Sequence, residues 1–161
     1  MTDPSGGPPS RRGIAQIHDH SMSLHIVHRD QEGIEILDLR GRLVFGTGNL
    51  RLHEELDQIV TAGKSRVVIN VSDVSEMDAE ALSALMLVSA RLRKAGGGLA
   101  LVDLRPSHIE DVLPARLIPG SELFKGVFQH EQDAIDSFFP GRRVQRYDIL
   151  EYIRSTQRSM D

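Results

Sequence analysis

The chain contains no cysteine and no tryptophan, and aromatic residues make up only 4% of its 161 positions. Without cysteine there is no disulfide framework, no thiolate metal site and no cysteine nucleophile. So few aromatic rings argue against a stacking surface for single-stranded nucleic acid. Positive charge is in short supply as well. The formal net charge is −4, which leaves no basic footprint for DNA or RNA. No apolar run approaches the length of a membrane span. The opening residues, MTDPSGGPPSRRG, place no apolar stretch behind their arginines, so they do not read as a secretory signal. A soluble, cytoplasmic protein is expected, without nucleic-acid binding or direct membrane insertion.

Hydrophobic residues amount to 40% of the chain, enough for one buried core in a domain of ordinary size. Residues 1–23 are rich in Gly, Pro and Ser and read as a disordered arm. From Leu24 the pattern changes. Two short apolar segments, Leu24–Arg29 and Ile34–Leu39, flank Gln31-Glu32-Gly33 and predict a hairpin, with Gly41 and Gly46 marking its exit. Thr47 is a candidate N-cap for a helix in which Leu52, Leu56, Ile59 and Val60 recur at helical spacing, and Gly63 ends it.

Arg66–Val71 is a β-branched run typical of a buried strand. A second helix is predicted over about Ala79–Ala95, with Leu82, Leu85, Met86, Ser89 and Leu92 on one face. Arg91, Arg93 and Lys94 in its last turn suit the helix dipole. Gly96-Gly97-Gly98 stops it, and Leu99–Val102 is a further short strand. Pro106 fits the first position of a third helix reaching about Leu113, where Pro114 should stop it. Residues 114–126 read as a loop with Leu117, Ile118, Leu123 and Phe124 dipping into the core. Glu131–Phe139 is the last domain helix.

Pro140-Gly141 marks a boundary, so the domain is read as 24–140. Residues 141–161 form a polar extension, helical around Ile149, Leu150 and Ile153, which together could make an apolar stripe. Arm and extension offer little apolar surface, and a chain of residues 22–141 should melt near the full length. Two strand–helix–strand units demand parallel pairing with right-handed crossovers. The expected fold is therefore α/β, a mixed sheet of four or five strands with helices packed on it.

The segment Asp78-Ala79-Glu80-Ala81-Leu82-Ser83 joins a buried strand to a helix N-terminus. Open α/β sheets tend to place ligand and partner sites at such ends. Asp78 is positioned to cap the helix, and Glu80 brings negative charge to the favoured first turn. Other chemistry is hard to find. His25 and His28 have odd spacing and point to opposite faces of a strand, and no HExxH motif or helical His pair occurs, so no metal or other cofactor is expected. No GK[ST] follows the glycines, as a phosphate-binding loop would require. No nucleophile elbow or other catalytic spacing is present, so an enzyme is not expected. Arg142, Arg143 and Arg146 read as a solvated basic surface.

Taken in order, Gly41-Arg42-Leu43, the strand Arg66–Val71, Met77-Asp78-x-x-x-Leu82-x-x-Leu85 and Gly96-Gly97-Gly98-Leu99 resemble the STAS domain over about residues 24–139. The resemblance is to bacterial anti-sigma-factor antagonists, which usually read Asp-Ser-Ser-Gly-Leu at this turn and are phosphorylated on the first Ser by a partner kinase. Here the turn reads Asp78-Ala79-Glu80-Ala81-Leu82. Ala79 carries no hydroxyl, so the switch cannot run at that position. Phosphate would bring about −1.5 to −2 of charge; Glu80 brings a permanent charge one residue later, which either imitates the phosphorylated state or suits the dipole. Ser83 is the nearest hydroxyl and a weak candidate for modification. The resemblance implies a protein partner: an anti-sigma factor of the ATP-binding kinase type or another STAS protein, with Asp78 to Ser83 as the contact. An accessory STAS subunit of a membrane transport system is the alternative.

Overall fold

The structure, a computed structural model, describes residues 24–44, 47–109 and 122–160. Strand β1 (Leu24–Gln31) turns through Glu32-Gly33 into β2 (Ile34–Leu43). Both turn residues have positive φ, +55° and +82°, the backbone of a two-residue turn that follows the strand twist; glycine takes the second place without a Cβ penalty. Helix α1 (Thr47–Thr61) leads to β3 (Arg66–Met77), α2 (Ala79–Lys94) and β4 (Gly98–Val102). Gly96, with φ +95°, ends α2, and the Gly97 N–H reaches back to the Leu92 carbonyl at 2.9 Å. Two short helices follow, α3 (Pro106–Ile109) and α4 (Glu122–Lys125), then β5 (Val127–Phe128), α5 (Glu131–Asp136) and α6 (Ile149–Met160).

The five strands form one mixed sheet in the order β1-β2-β3-β4-β5. β1 pairs antiparallel with β2, and the other three pairings are parallel. Side chains alternate across the sheet, so Val67, Ile69 and Val71 join one cluster and Val68 the other. The larger cluster lies under α1 and α2, which insert Leu52, Leu56 and Ile59, and Leu82, Leu85 and Leu92. The smaller lies under α5, whose Ala134 and Ile135 pack on Ile36, Ala100 and Phe128. Near the hairpin turn, the buried Glu35 carboxylate is held by His28 at 2.6 Å and Lys64 at 2.9 Å.

Several expectations need correction. β3 runs to Met77, well beyond Val71, and β2 runs to Leu43, so that Gly41 lies inside a strand. Asn70 opposes Asp38 while Asp73 opposes Arg40, and Val74 opposes Gly41 while Glu76 opposes Arg42. At each step β3 carries one residue more than β2. These bulges let Val71, Val74 and Met77 all reach the larger cluster at three-residue spacing, which hides the strand from a search for alternation. Leu123 and Phe124 are buried, but on the short helix α4. β5 follows directly, in two residues to which the sequence assigned no element. Thr47, expected to precede the first helix as its cap, is that helix's first residue; the continuation of α3 toward Leu113, and Leu117 and Ile118, lie outside what is described.

The C-terminal extension is not peripheral. Ile149 and Ile153 of α6 are buried in the larger cluster, with Tyr147 and Leu150 packed against it. The Tyr147 N–H also bonds the Val127 carbonyl at 2.9 Å, covering the edge of β5. A chain ending at residue 141 would lose these buried side chains, so the structure argues for a loss of stability where the sequence suggested none. Arg142 is likewise more than a solvated charge: it bridges Glu32 at 3.0 Å and Asp136 at 2.8 Å and lies over the Phe139 ring.

Candidate functional site: the start of helix α2

β3 passes into α2 through a single residue. Met77 closes the strand, Asp78 has extended backbone (φ −108°, ψ 176°), and Ala79 opens the helix. The Asp78 carboxylate accepts the Ala81 N–H at 2.9 Å, and the Asp78 carbonyl accepts the Leu82 N–H at 3.1 Å. The capping role expected of Asp78 is what the geometry shows. It satisfies one of the helix's orphan donors and fixes the direction in which the first turn leaves the sheet.

That direction divides the six candidate residues. Ala81 and Leu82 are only 1% and 2% exposed and belong to the larger core cluster. They cannot touch another molecule. Ala79, Glu80 and Ser83 are exposed, and Asp78 is half-buried. One residue the sequence reading passed over completes this outer face: Leu87 is 68% exposed. Its signal was legible. Leu87 lies five positions after Leu82, about 140° around the helix, away from the stripe that Leu82, Leu85 and Leu92 turn inward. On the neighbouring α1, Leu50 is 60% exposed, and Asp57 ties the two helices together through Arg91 at 2.8 Å.

The floor of the turn is the final stretch of β3. Arg42 pairs with Glu76 at 2.9 Å, and the Ser75 hydroxyl donates to the Gly41 carbonyl at 3.2 Å. On the other side Arg105 donates to the Ser72 carbonyl at 3.2 Å, and His108 bonds the Val74 carbonyl at 2.9 Å. His108 is 6% exposed. Burial, with the Arg105 charge beside it, holds its pKa below the ordinary histidine value, although the bond to Val74 pulls the other way. Neither Arg105 nor His108 stood out in the sequence, because neither belongs to a motif.

Chemically, the turn presents a methyl group at the first helical residue, a carboxylate at the second and a hydroxyl at Ser83. The Ala79 side chain has no atom that can accept a phosphoryl group. Among the described residues no three His, Asp or Glu side chains gather as metal ligands would, and no helix is long and apolar enough to cross a membrane.

The family model of the STAS domain matches residues 25–134. No curated protein sequence matches the chain. Among solved structures, an anti-sigma factor antagonist from Mycobacterium paratuberculosis aligns with a TM-score of 0.57 at 16% identity, covering 71% of this chain and 93% of that one. The murine Solute Carrier 26 family member A9 anion transporter, in its inward-facing state, aligns with a TM-score of 0.55 at 15% identity. That alignment covers 78% of this chain but 24% of the transporter. At such identities the likeness is one of fold.

Proposed function

The chain belongs to the STAS domain family, and on that premise we propose that it is a non-enzymatic regulatory domain of the anti-sigma-factor-antagonist kind, acting in the cytoplasm by binding a protein partner. The partner is an anti-sigma factor of the ATP-binding kinase type or another STAS protein. The observation that carries this reading is the two-sided turn at the start of α2. Ala81 and Leu82 anchor it in the core while Ala79, Glu80, Ser83 and Leu87 face outward together. An exposed leucine beside small and charged side chains suits the centre of a protein contact, where apolar anchors are desolvated within a polar rim.

In this reading Asp78, Ala81 and Leu82 act from beneath by fixing the turn. Ala79, Glu80 and Ser83 meet the partner. Binding is not switched by phosphorylation at position 79, because a methyl group stands there. Regulation then falls to abundance or to the partner.

Two measurements test this. Full-length protein, used to capture partners from native cells, should retrieve an anti-sigma factor or a STAS protein. Leu87→Asp and Glu80→Arg should each weaken that complex at least tenfold, whereas Val27→Asp, on the far face of the sheet, should not. Incubation with the candidate kinase and ATP should leave residues 72–89 unmodified by mass spectrometry. Equal binding by the α2 variants, or stoichiometric phosphate in that segment that abolishes binding, would overturn the proposal. The likeness to the transporter's fold favours a second reading, an accessory STAS subunit of a membrane transport system. Retrieval of a transport component instead of an anti-sigma factor would establish it.

A further inference from the structure

We propose that Arg105 and His108 form a proton-operated latch that takes the place of a neighbouring strand along the end of β3 and so sets the position of the Asp78 turn. The proposal deepens the reading of that turn as the partner site and rests on it for its functional meaning.

The latch begins where a strand is missing. β4 pairs with Arg66–Asn70 of β3 and no further. Among the described residues, β3 from Val71 to Met77 has a neighbouring strand, β2, on one side only. A strand edge left this way has carbonyls that need donors. Two of them, Ser72 and Val74, are taken by Arg105 Nη2 and His108 Nε2. Both donors come from the short segment just after β4. Side chains thus continue the hydrogen bonding that β4 leaves off.

The imidazole is committed at both nitrogens. Nδ1 accepts the Arg105 backbone N–H at 3.0 Å, and Nε2 meets the Val74 carbonyl. A ring that accepts at Nδ1 and donates at Nε2 is neutral. Protonation would set an N–H at Nδ1 against the Arg105 N–H, donor against donor. It would also set a positive ring against the Arg105 guanidinium, whose Nη2 lies 3.2 Å from Nε2. Protonation thus removes the Nδ1 contact and drives the ring and the guanidinium apart; the Nε2 bond to Val74, which favours the charged ring, resists this, and the hold on Ser72 is released when the repulsion separates the two side chains.

The charged surroundings favour the neutral ring. Burial opposes protonation most and the Arg105 charge adds to it, while the Val74 bond and, more weakly, Asp103 favour the charged ring. Of the elements packed on α3, β3 carries Asp73 and Glu76. α6 carries the Glu151–Arg154 ion pair, with Tyr147 and Asp148 before it and Tyr152 within it. Because the folded ring has a lowered pKa, the latch is fully closed above the ordinary histidine value of about 6.5. It opens as pH falls through the lower folded value. Val74 stands four residues before Asp78, so release frees the strand end that aims the turn.

The test is a pH titration of isotope-labelled full-length protein by NMR between pH 8 and 5, where carboxylates stay largely ionised. The His108 ring should titrate with a midpoint below about 6.5. The Arg105 amide, the Val74 carbonyl carbon and the amides of Met77 to Glu80 should move with that same midpoint. In His108→Gln, which can still donate to Val74, the movement of Met77 to Glu80 at that midpoint should vanish. Arg105→Gln should raise the His108 midpoint. If His108→Gln does not fold, the unmodified chain decides: coincident midpoints support the latch and separate ones overturn it. Shifts of Met77 to Glu80 that persist in His108→Gln also overturn it. No partner enters the titration, so the surface variants can fail to weaken binding, ending the partner reading, while the latch stands.

Discussion

Between Val67 and Asn70, β3 has a strand on either side. Between Val71 and Met77 it has, among the described residues, β2 as its one neighbouring strand, with two bulges in that pairing and two side chains along the other edge. The first half sends Val67 and Ile69 into one cluster and Val68 into the other, all fully buried. The second half is anchored only through Val71, Val74 and Met77, while Asp73, Ser75 and Glu76 are exposed. The contrast teaches where this fold puts its strength. The sheet interior rests on close-packed apolar contacts, which are costly to disturb. The end that carries the candidate site has three buried side chains on one face and, along its other edge, a few polar contacts each worth about 0.5–1.5 kcal/mol, so less holds it in place.

The largest expected effect comes from removing a support of the second half. A chain ending at Gly141 loses Ile149 and Ile153 from the core, along with the helix that packs on α3. At about 1.5–3 kcal/mol for each buried isoleucine, roughly 3–6 kcal/mol should go. Urea denaturation of the shortened and full chains measures this, and equal midpoints would show that α6 does not hold the domain.

Within β3 the comparison can be made residue by residue. Ile69→Ala in the first half should lower stability by about 2–5 kcal/mol, because it opens a cavity where the sheet is packed on both sides. Asp78→Ala, just past the second half, should cost only about 0.5–2 kcal/mol, the usual loss of a capping side chain. Hydrogen exchange should separate them further: Ile69→Ala should raise exchange across the sheet, whereas Asp78→Ala should raise it mainly in the first turn of α2. Sheet-wide exchange in Asp78→Ala would mean that the two halves form one cooperative unit.

Much of this architecture was legible in the sequence, for physical reasons tied to short-range pattern. The Glu32-Gly33 turn, the β-branched run before Asn70, the inward stripe of α2 and its glycine stop all follow from local backbone preference and side-chain periodicity. The Asp78 cap was legible too, because a capping carboxylate and the amide it serves are three residues apart. The second half of β3 was not. Its inward residues are spaced by three because bulges add residues to one strand, and a bulge exists only relative to a partner. β5 was missed because two residues are too few to show a period.

The sequence by itself determined the fold class, the order of the main helices and strands, the helix start at Asp78 and the absence of a hydroxyl at Ala79. Each is a property of residues close together in the chain. Tertiary structure alone decided that α1 lies beside α2 with Asp57 bridged to Arg91, that α6 returns to seal the core, and that His108 meets Val74. The reason is distance along the chain. Val74 and His108 lie thirty-four positions apart, and no local preference of either residue encodes a contact that exists only once the sheet has assembled.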